Sequence, residues 1–273
     1  MPRSVIRATD LDVLPSDRIV ERRKGYLVVR SPGNPGHYWG NLLIPDDPPL
    51  AGDASRWEHL FAAEFPSATG VRHRTFAWDR TDGALGRAQE EFVARGYALE
   101  ETVGLIATPD RVVAHPRANR DVLVLALDPF PDRDEALWDQ VLELQVADPE
   151  ELDEETHRSF HRRRLTDVRA LFQAGRGAWY VALGGHSGEV WGSCGVVVTG
   201  SRGRFQSVDT AAAHRRQGIC SRLIVDATHH AAARHGADQL VIGADPNYHA
   251  LGLYESLGFQ RAERVAGVVR AST

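Results

Sequence analysis

The sequence of 273 residues has little cysteine, almost no lysine and no long apolar run. Its two cysteines, Cys194 and Cys220, provide neither a disulfide framework nor a Cys-x-x-Cys metal knuckle, which is typical of a reducing compartment. No stretch approaches the roughly 18 apolar residues of a membrane span, and residues 1–7 lack the apolar core of a signal peptide. These absences predict a cytoplasmic protein with no membrane partner and no bound metal.

The charge pattern argues against a nucleic-acid partner. Lys24 is the only lysine among 32 basic residues, and the net charge is −5. The densest basic cluster, 162–164, lies among acidic residues on a predicted helix, which indicates a solvated face of ion pairs. No basic face interleaved with aromatic residues is present, so we expect no binding to nucleic acid.

The most informative segment is a glycine turn between a predicted strand, 205–210, and a predicted helix that continues to about His235. Gly218 permits backbone conformations that a side chain forbids, so consecutive amides can converge at a helix N-terminus. Such a concavity at the positive end of a helix dipole is typical of a pyrophosphate site. The predicted donors and charges are the amides of Gln217, Gly218, Ile219, Cys220 and Ser221 and the side chains of Arg215 and Arg216.

A second segment follows this turn in the chain. A predicted strand at 239–244 precedes a helix at 247–259, which contains Asn247 and Leu253-Tyr254 and is terminated by Gly258-Phe259. The two segments together resemble the GNAT acyltransferase superfamily. Its acetyl-CoA loop has the pattern Gln/Arg-x-x-Gly-x-Gly/Ala, and its next helix carries Asn and Leu-Tyr-x-x-x-Gly-Phe.

One position departs from the family pattern. The loop ends on Cys220, where the family usually has Gly or Ala. A thiol at a helix N-terminus can have a lowered pKa and react with a thioester, or it can be a small space-filling residue. Both interpretations are left open by the sequence.

The resemblance implies an α/β fold with a mixed sheet, the tandem GNAT-like acyl-CoA N-acyltransferase fold. It covers residues 121–270 well. The elements predicted ahead of the glycine turn fit the order of that fold: strand 122–127, helices 134–146 and 153–172, and strands 179–183 and 190–198.

The resemblance also implies roles for individual residues, with acetyl-CoA as co-substrate. The backbone of Val208, Asp209 and Thr210 would bind the pantetheine arm, and the amides of 217–221 the pyrophosphate. Tyr254 would protonate the departing thiolate, since a phenol stays protonated at neutral pH. Asn247 would hold the cofactor or a water. The competing interpretation of Tyr254 is a core aromatic residue.

The general base is left open by the sequence. Asp209 lies near a strand end, His186 in a predicted loop and Glu143 on a predicted helix, and a water molecule is a fourth alternative.

The N-terminal half contains a faint repeat of the C-terminal half. The sequence of residues 92–97 and of the strand after them matches that of residues 254–259 and of the strand after those, at a constant offset of 162 residues. Leu85 and Phe92 stand where Asn247 and Tyr254 do, and we find no glycine loop between 69 and 86. The first half is therefore predicted to be a degenerate copy, residues 1–118, with a working domain at 119–273. Its predicted elements are strands 25–30, 41–44, 71–78 and 102–107 and helices 53–65 and 85–95.

The sequence predicts an enzyme that transfers an acetyl group from acetyl-CoA directly to a primary amine. The acceptor would be a small-molecule amine or a peptide N-terminus, and the protein a monomer or homodimer. The alternative is a non-catalytic acyl-CoA-binding sensor or scaffold that keeps the loop.

Overall fold

The computed structural model describes residues 2–147, 154–185 and 188–271. They form α-helices and β-strands in a mixed α/β arrangement, as predicted. The helices are α1 Val5–Asp12, α2 Ala54–Glu64, α3 Gln89–Ala94, α4 Glu135–Val146, α5 Glu154–Gln173, α6 Ile219–His235 and α7 Ala250–Ser256. The strands are β1 Ile19–Arg23, β2 Tyr26–Arg30, β3 Leu42–Pro45, β4 Arg74–Ala77, β5 Ala98–Ala107, β6 Leu123–Ala126, β7 Gly177–Gly184, β8 Glu189–Thr199, β9 Arg202–Thr210, β10 Gln239–Ala244 and β11 Gln260–Arg270.

The chain divides into two compact units that interleave along the sequence. The first comprises Met1–Gly104, Gly243–Tyr248 and Ala262–Thr273, and the second comprises Leu105–Ile242 and His249–Arg261. The functional division at residue 118 stays a prediction. Among the helices of the described residues, none combines the length and hydrophobicity of a membrane-spanning segment.

The first unit is a sheet of strand order β1-β2-β3-β4-β11-β5 with an aromatic core. β11 pairs antiparallel with β4 through residues 267–270. Phe76 lies 5.6 Å from Phe92 and 6.0 Å from Tyr97 between ring centroids, and all three rings are buried. Phe92, the predicted counterpart of Tyr254, is thus a core residue.

A carboxylate from β11 holds the N-terminus of α1. Glu263 accepts hydrogen bonds from the Ser4 hydroxyl at 2.7 Å, the Val5 amide at 3.1 Å and the Ile6 amide at 2.6 Å. The first amides of a helix have no acceptor within it, and a negative charge there also favours the helix dipole. Glu263 therefore fixes a helix that the sequence analysis did not predict.

The second unit is a sheet of order β10-β9-β8-β7-β6 with helices on both faces. Trp179 on β7 lies 6.1 Å from Trp138 of α4 and 6.5 Å from Phe172 of α5, between ring centroids. The adjacent Tyr180 points the other way, and its hydroxyl lies 3.0 Å from Nδ1 of His230 on α6. Successive residues of a strand face opposite sides of the sheet, so these contacts define the two helical layers.

The two units share one order of connections. In the first, β1, β2 and β3 pair antiparallel in sequence and β3 pairs parallel with β4. In the second, β7, β8 and β9 do the same and β9 pairs parallel with β10. β5 begins at residue 98 and β11 at residue 260, and these positions differ by 162 residues, the same offset as the sequence repeat. The connection equivalent to the glycine turn is thus 46–53, not the segment between 69 and 86.

We expect Glu263→Gln to lower the free energy of unfolding by about 1 kcal/mol, because it removes the charge that accepts three hydrogen bonds at α1. Urea denaturation followed by circular dichroism measures this. Glu255→Gln is the matched control, since Glu255 forms an ion pair with the exposed Arg261 and its loss should cause no measurable change. Equal stability of the two variants would contradict the role given to Glu263.

Candidate active site

β9 carries a bulge directly before its end. Its register against β8 passes from Gly195↔Gln206 to Ser193↔Asp209, so β9 has one residue more than β8 over this interval. Ser207 lies in the bulge with φ +42°, a conformation that is uncommon for a residue with a side chain. Bulges re-aim backbone groups and are frequent beside active sites. Val208, predicted to bind a pantetheine arm, is the next residue.

β9 and β10 part in the same region. They pair in parallel from Arg202↔Gln239 to Arg204↔Val241, and β9 then continues to Thr210. Strands that separate leave main-chain donors and acceptors without a ladder partner. An extended ligand with amide groups can meet them in the way that a further strand would.

The turn after β9 has the backbone that the sequence predicted for its glycine. Gly218 has φ +75° and Arg216 has φ +60°, and α6 begins at Ile219. The amides of the first turn of a helix have no intrahelical acceptor, so those of Ile219, Cys220 and Ser221 are available to an anion. The turn therefore offers the predicted donors at the positive end of a helix of 17 residues.

Only glycine fits at position 218. A Cβ there would lie 2.0 Å from the carbonyl oxygen of Arg117 and 2.8 Å from the amide nitrogen of Asn119. The left-handed φ and this close approach each exclude a side chain. Sequence reasoning found the first cause, but not the second.

The arginines and glutamine of the turn differ in their surroundings. The Nε of Arg215 donates to the Thr210 carbonyl at 3.1 Å, which folds this side chain back along the end of β9. Gln217 donates through Nε2 to the Ala213 carbonyl at 3.2 Å, and Arg216 is exposed. Arg215 and Arg216 are thus both exposed cations of this turn, and Arg215 is the one bonded to the end of β9.

A cleft of about 310 Å³ lies between α4 and the ends of β8 and β9. Glu143, Glu189 and Asp209 line it, together with Arg215 and Gln140. Two of the predicted candidates for the general base, Asp209 and Glu143, thus share one cleft. The third, His186, lies outside the described residues.

Glu143 and Glu189 each accept hydrogen bonds from a neighbouring side chain. Both oxygens of Glu143 accept from the guanidinium of Arg158, one of them at 2.8 Å, and this hydrogen bonding lowers the pKa of Glu143. Glu189 accepts from the indole Nε1 of Trp191 at 3.1 Å. Sequence reasoning missed Glu189, because a glutamate that opens a strand carries no periodic or motif signal.

Trp191 connects β8 to the turn. Its ring stacks on His214, with centroids 4.0 Å apart and planes at 15°. Its carbonyl accepts from the Ala211 amide at 2.9 Å. The side of the cleft that leads to the turn is therefore held by both a ring contact and a main-chain bond.

Tyr254 on α7 is buried, and its exposed fraction is 5%. Its ring centroid lies 6.4 Å from Phe259, which lies 6.1 Å from Phe205 on β9. Phe205 is the first residue after the paired part of β9, so one intervening ring connects Tyr254 to the residue at which the strands separate. Asn247 is exposed on the preceding turn and belongs to the first unit.

Cys220 lies in an environment that disfavours a thiolate. Burial and the charge of Asp209 raise its pKa to about 12. Both effects oppose the helix dipole, which would lower the pKa. Of the two interpretations of Cys220, the structure favours the space-filling one.

The sequence of residues 138–259 matches the model of the acetyltransferase (GNAT) family. Residues 138–259 are thus assigned to the GNAT family. They include most of α4, the bulged strand, the glycine turn and Tyr254, so the GNAT region contains most of the candidate site. No curated protein matches the sequence.

Solved structures resemble the whole GNAT chain in fold. A functionally unknown conserved protein from Staphylococcus epidermidis ATCC 12228 has a TM-score of 0.72 at 12% identity, covering 94% of this chain and 95% of that one. A GCN5-related N-acetyltransferase from Kribbella flavida has a TM-score of 0.65 at 13% identity, covering 98% and 95%. A tandem GNAT protein from the clavulanic acid biosynthesis pathway has a TM-score of 0.54 at 16% identity, covering 98% and 89%.

We expect Cys220 to react slowly with iodoacetamide in the folded protein at pH 7.5, at least about a hundredfold more slowly than in urea. A pKa near 12 leaves very little thiolate, and the thiolate is the nucleophile. Peptide mapping by mass spectrometry after timed alkylation measures the rate at each cysteine, with buried Cys194 as an internal reference. Fast alkylation confined to Cys220 would restore the reactive interpretation.

Proposed function

We propose that the protein is an N-acetyltransferase that moves an acetyl group from acetyl-CoA directly to a primary amine. The observation that carries this proposal is the continuous run of bulge, parted strand and glycine turn in residues 205–221, which offers main-chain donors to an extended amide chain and then to a diphosphate. Family membership supports acyl transfer in general.

The donor site suits coenzyme A in its chemistry. The Val208 to Thr210 backbone offers strand-type hydrogen bonds for the two amides of a pantetheine arm. The amides of Gln217 to Ser221 and the exposed guanidinium of Arg216 offer charge-assisted bonds for a pyrophosphate. When bound, acetyl-CoA supplies an already activated thioester, so the protein needs no covalent nucleophile of its own.

The acidic cleft is the proposed entrance for the amine. With Glu143 paired to Arg158, Glu189 and Asp209 against Arg215 leave the cleft negative, which attracts a protonated amine to the end of β9. The amine must lose its proton before it attacks the acetyl carbon. Asp209 and Glu143 are the two described candidates for the base, and the ion pair with Arg158 lowers the pKa of Glu143, which makes Glu143 a weaker proton acceptor than an unpaired glutamate.

Tyr254 is the proposed general acid. Its phenol is protonated at neutral pH and can donate a proton to the thiolate of coenzyme A as that group departs. The ring contacts through Phe259 to Phe205 support this role, because they connect the side chain to the residue at which β9 and β10 separate. Asn247 remains a proposed ligand of the cofactor or of a water.

The first unit is proposed to be a degenerate copy with a structural or gating role. Its connection 46–53 stands where the second unit has the glycine turn. Pro48 and Pro49 in this connection lack an N–H, and the amide of Gly52 already donates to the carboxylate of Glu91. Such a connection has neither the donors nor the charge for a phosphate, which supports a single donor site per chain.

The second candidate function is an acyl-CoA sensor or scaffold. It needs the donor site alone, and the buried position of Tyr254 is compatible with a purely structural side chain. Turnover after removal of the Tyr254 hydroxyl distinguishes the two functions.

We expect acetyl-CoA to bind at one site per chain in a calorimetric titration, and Gly218→Ala to abolish or strongly weaken binding. The Cβ of the variant meets the Arg117 carbonyl and forces the turn to move. Arg216→Gly is the matched control: it keeps the left-handed φ of the turn and removes only a charge, so binding should fall by no more than about tenfold. Absence of binding to the unmodified protein would refute the proposed function.

We expect Tyr254→Phe to lose most of kcat with an amine acceptor and to keep its affinity for acetyl-CoA. The change removes one hydroxyl and keeps the ring that packs on Phe259. Steady-state kinetics on the wild type and the variant, with binding of acetyl-CoA measured in parallel, provide the test. Unchanged turnover would remove Tyr254 from the mechanism, and binding without any turnover in the wild type across an amine panel would favour the sensor.

A further inference from the structure

We infer that Asn119, on the segment before β6, is a positioning residue that aims the amides of the glycine turn at the phosphates of the donor. This inference rests on the proposed function. Asn119 lies outside residues 138–259, the part of the chain that the family model matches. Nothing in the sequence pattern of the turn identifies it.

Asn119 bonds the turn through both its side chain and its backbone. Its Nδ2 donates to the carbonyl of Gln217 at 3.0 Å. Its main-chain amide donates to the carbonyl of Gly218 at 3.0 Å. Two consecutive carbonyls of the turn are therefore held by one residue that is 98 positions away from Gln217.

These two bonds determine where the next amides point. In a planar trans peptide the N–H of a residue is directed opposite to the preceding C=O, and no peptide bond of the described chain is cis. Since the carbonyls of Gln217 and Gly218 face Asn119, the N–H groups of Gly218 and Ile219 face away from it. Those two groups are central among the predicted phosphate donors.

The asparagine itself is held in place by its other side-chain atom. Oδ1 accepts from the amide of Asp121 at 2.9 Å and from that of Val122 at 3.0 Å. The side chain thus uses its acceptor to fix its own segment and its donor to fix the turn. Aspartate has no Nδ2 donor and serine is shorter, so either residue could accept from the following amides but could not donate to the Gln217 carbonyl.

The turn also packs directly against the segment that carries Asn119, so this segment can fix the position of the turn. A Cβ on Gly218 would lie 2.0 Å from the Arg117 oxygen, so the turn rests on the backbone of 117–119 without a gap. A turn with φ above zero at both Arg216 and Gly218 has alternative backbone conformations, and the bonds to Asn119 select one of them. We expect the energy of this selection to appear in donor affinity.

The test compares Asn119→Ser with wild type by acetyl-CoA calorimetry and by kinetics. Serine keeps an acceptor for the following amides and loses the donor to Gln217. We expect the Kd and KM for acetyl-CoA to rise about three- to tenfold, as for the loss of one hydrogen bond, with kcat at saturating acetyl-CoA unchanged. With S-acetylpantetheine, which has no pyrophosphate, both proteins should give the same kcat/KM.

The control is Asn41→Ser in the first unit. Asn41 makes comparable bonds, with Nδ2 donating to the Asn34 carbonyl at 2.9 Å and Oδ1 accepting from Ser31 at 3.0 Å. It should lower stability and leave the affinity for acetyl-CoA unchanged.

The outcomes separate the two proposals. If wild type and Asn119→Ser bind acetyl-CoA with equal affinity, the role of Asn119 is overturned and the proposed function stands. An equal loss with acetyl-CoA and with S-acetylpantetheine would also overturn it, because the effect would not pass through the phosphates. If wild-type protein binds no acetyl-CoA, the proposed function fails and this inference fails with it.

Discussion

Two glycines pressed against one connecting segment determine the geometry of the second unit. Gly218 meets the carbonyl of Arg117, and Gly258 meets that of Arg111, where a Cβ would lie 2.1 Å away. Both glycines have a positive φ, +75° and +105°. The first precedes α6 and the second follows α7, so the residues between β5 and β6 set the position of the proposed phosphate cradle and of the helix that carries the proposed acid. The segment between β5 and β6 therefore supports both parts of the proposed site.

The proposed sites for the acetyl donor and for the amine acceptor differ in charge. Carboxylates line the cleft at the end of β9, and the amides with the exposed arginine lie beyond the turn. Arg215 lies between the two regions, bonded to the Thr210 carbonyl. The negative cleft would attract a cationic amine, and the positive turn would attract the polyanionic coenzyme A. The two would then bind next to each other, as a direct transfer requires.

Much of this architecture was predictable from local sequence. β10 has the bounds that its apolar run predicted, 239–244, and Gly218 has the predicted backbone, because a strand and a left-handed turn depend on near neighbours. α1 and β1 were not found. α1 has Ser4 as its local N-cap, with the Arg7 amide donating to the Ser4 hydroxyl at 3.0 Å, but its first amides bond Glu263, far along the chain. β1 is a mostly polar strand defined by its pairing with β2. Asn119 was missed because contacts between distant residues leave no period in a sequence, and Glu189 was missed because a glutamate that opens a strand carries no motif.

The interleaving of the units has a consequence for biosynthesis. The first unit contains β11, so its β4 has no antiparallel partner of that kind until residues 267–270 have left the ribosome. Domains usually fold in the order of their synthesis. Here the half that is made first is completed last, and a chain arrested anywhere before β11 exposes to chaperones and proteases the edge of β4 and the start of α1 without its bonds to Glu263.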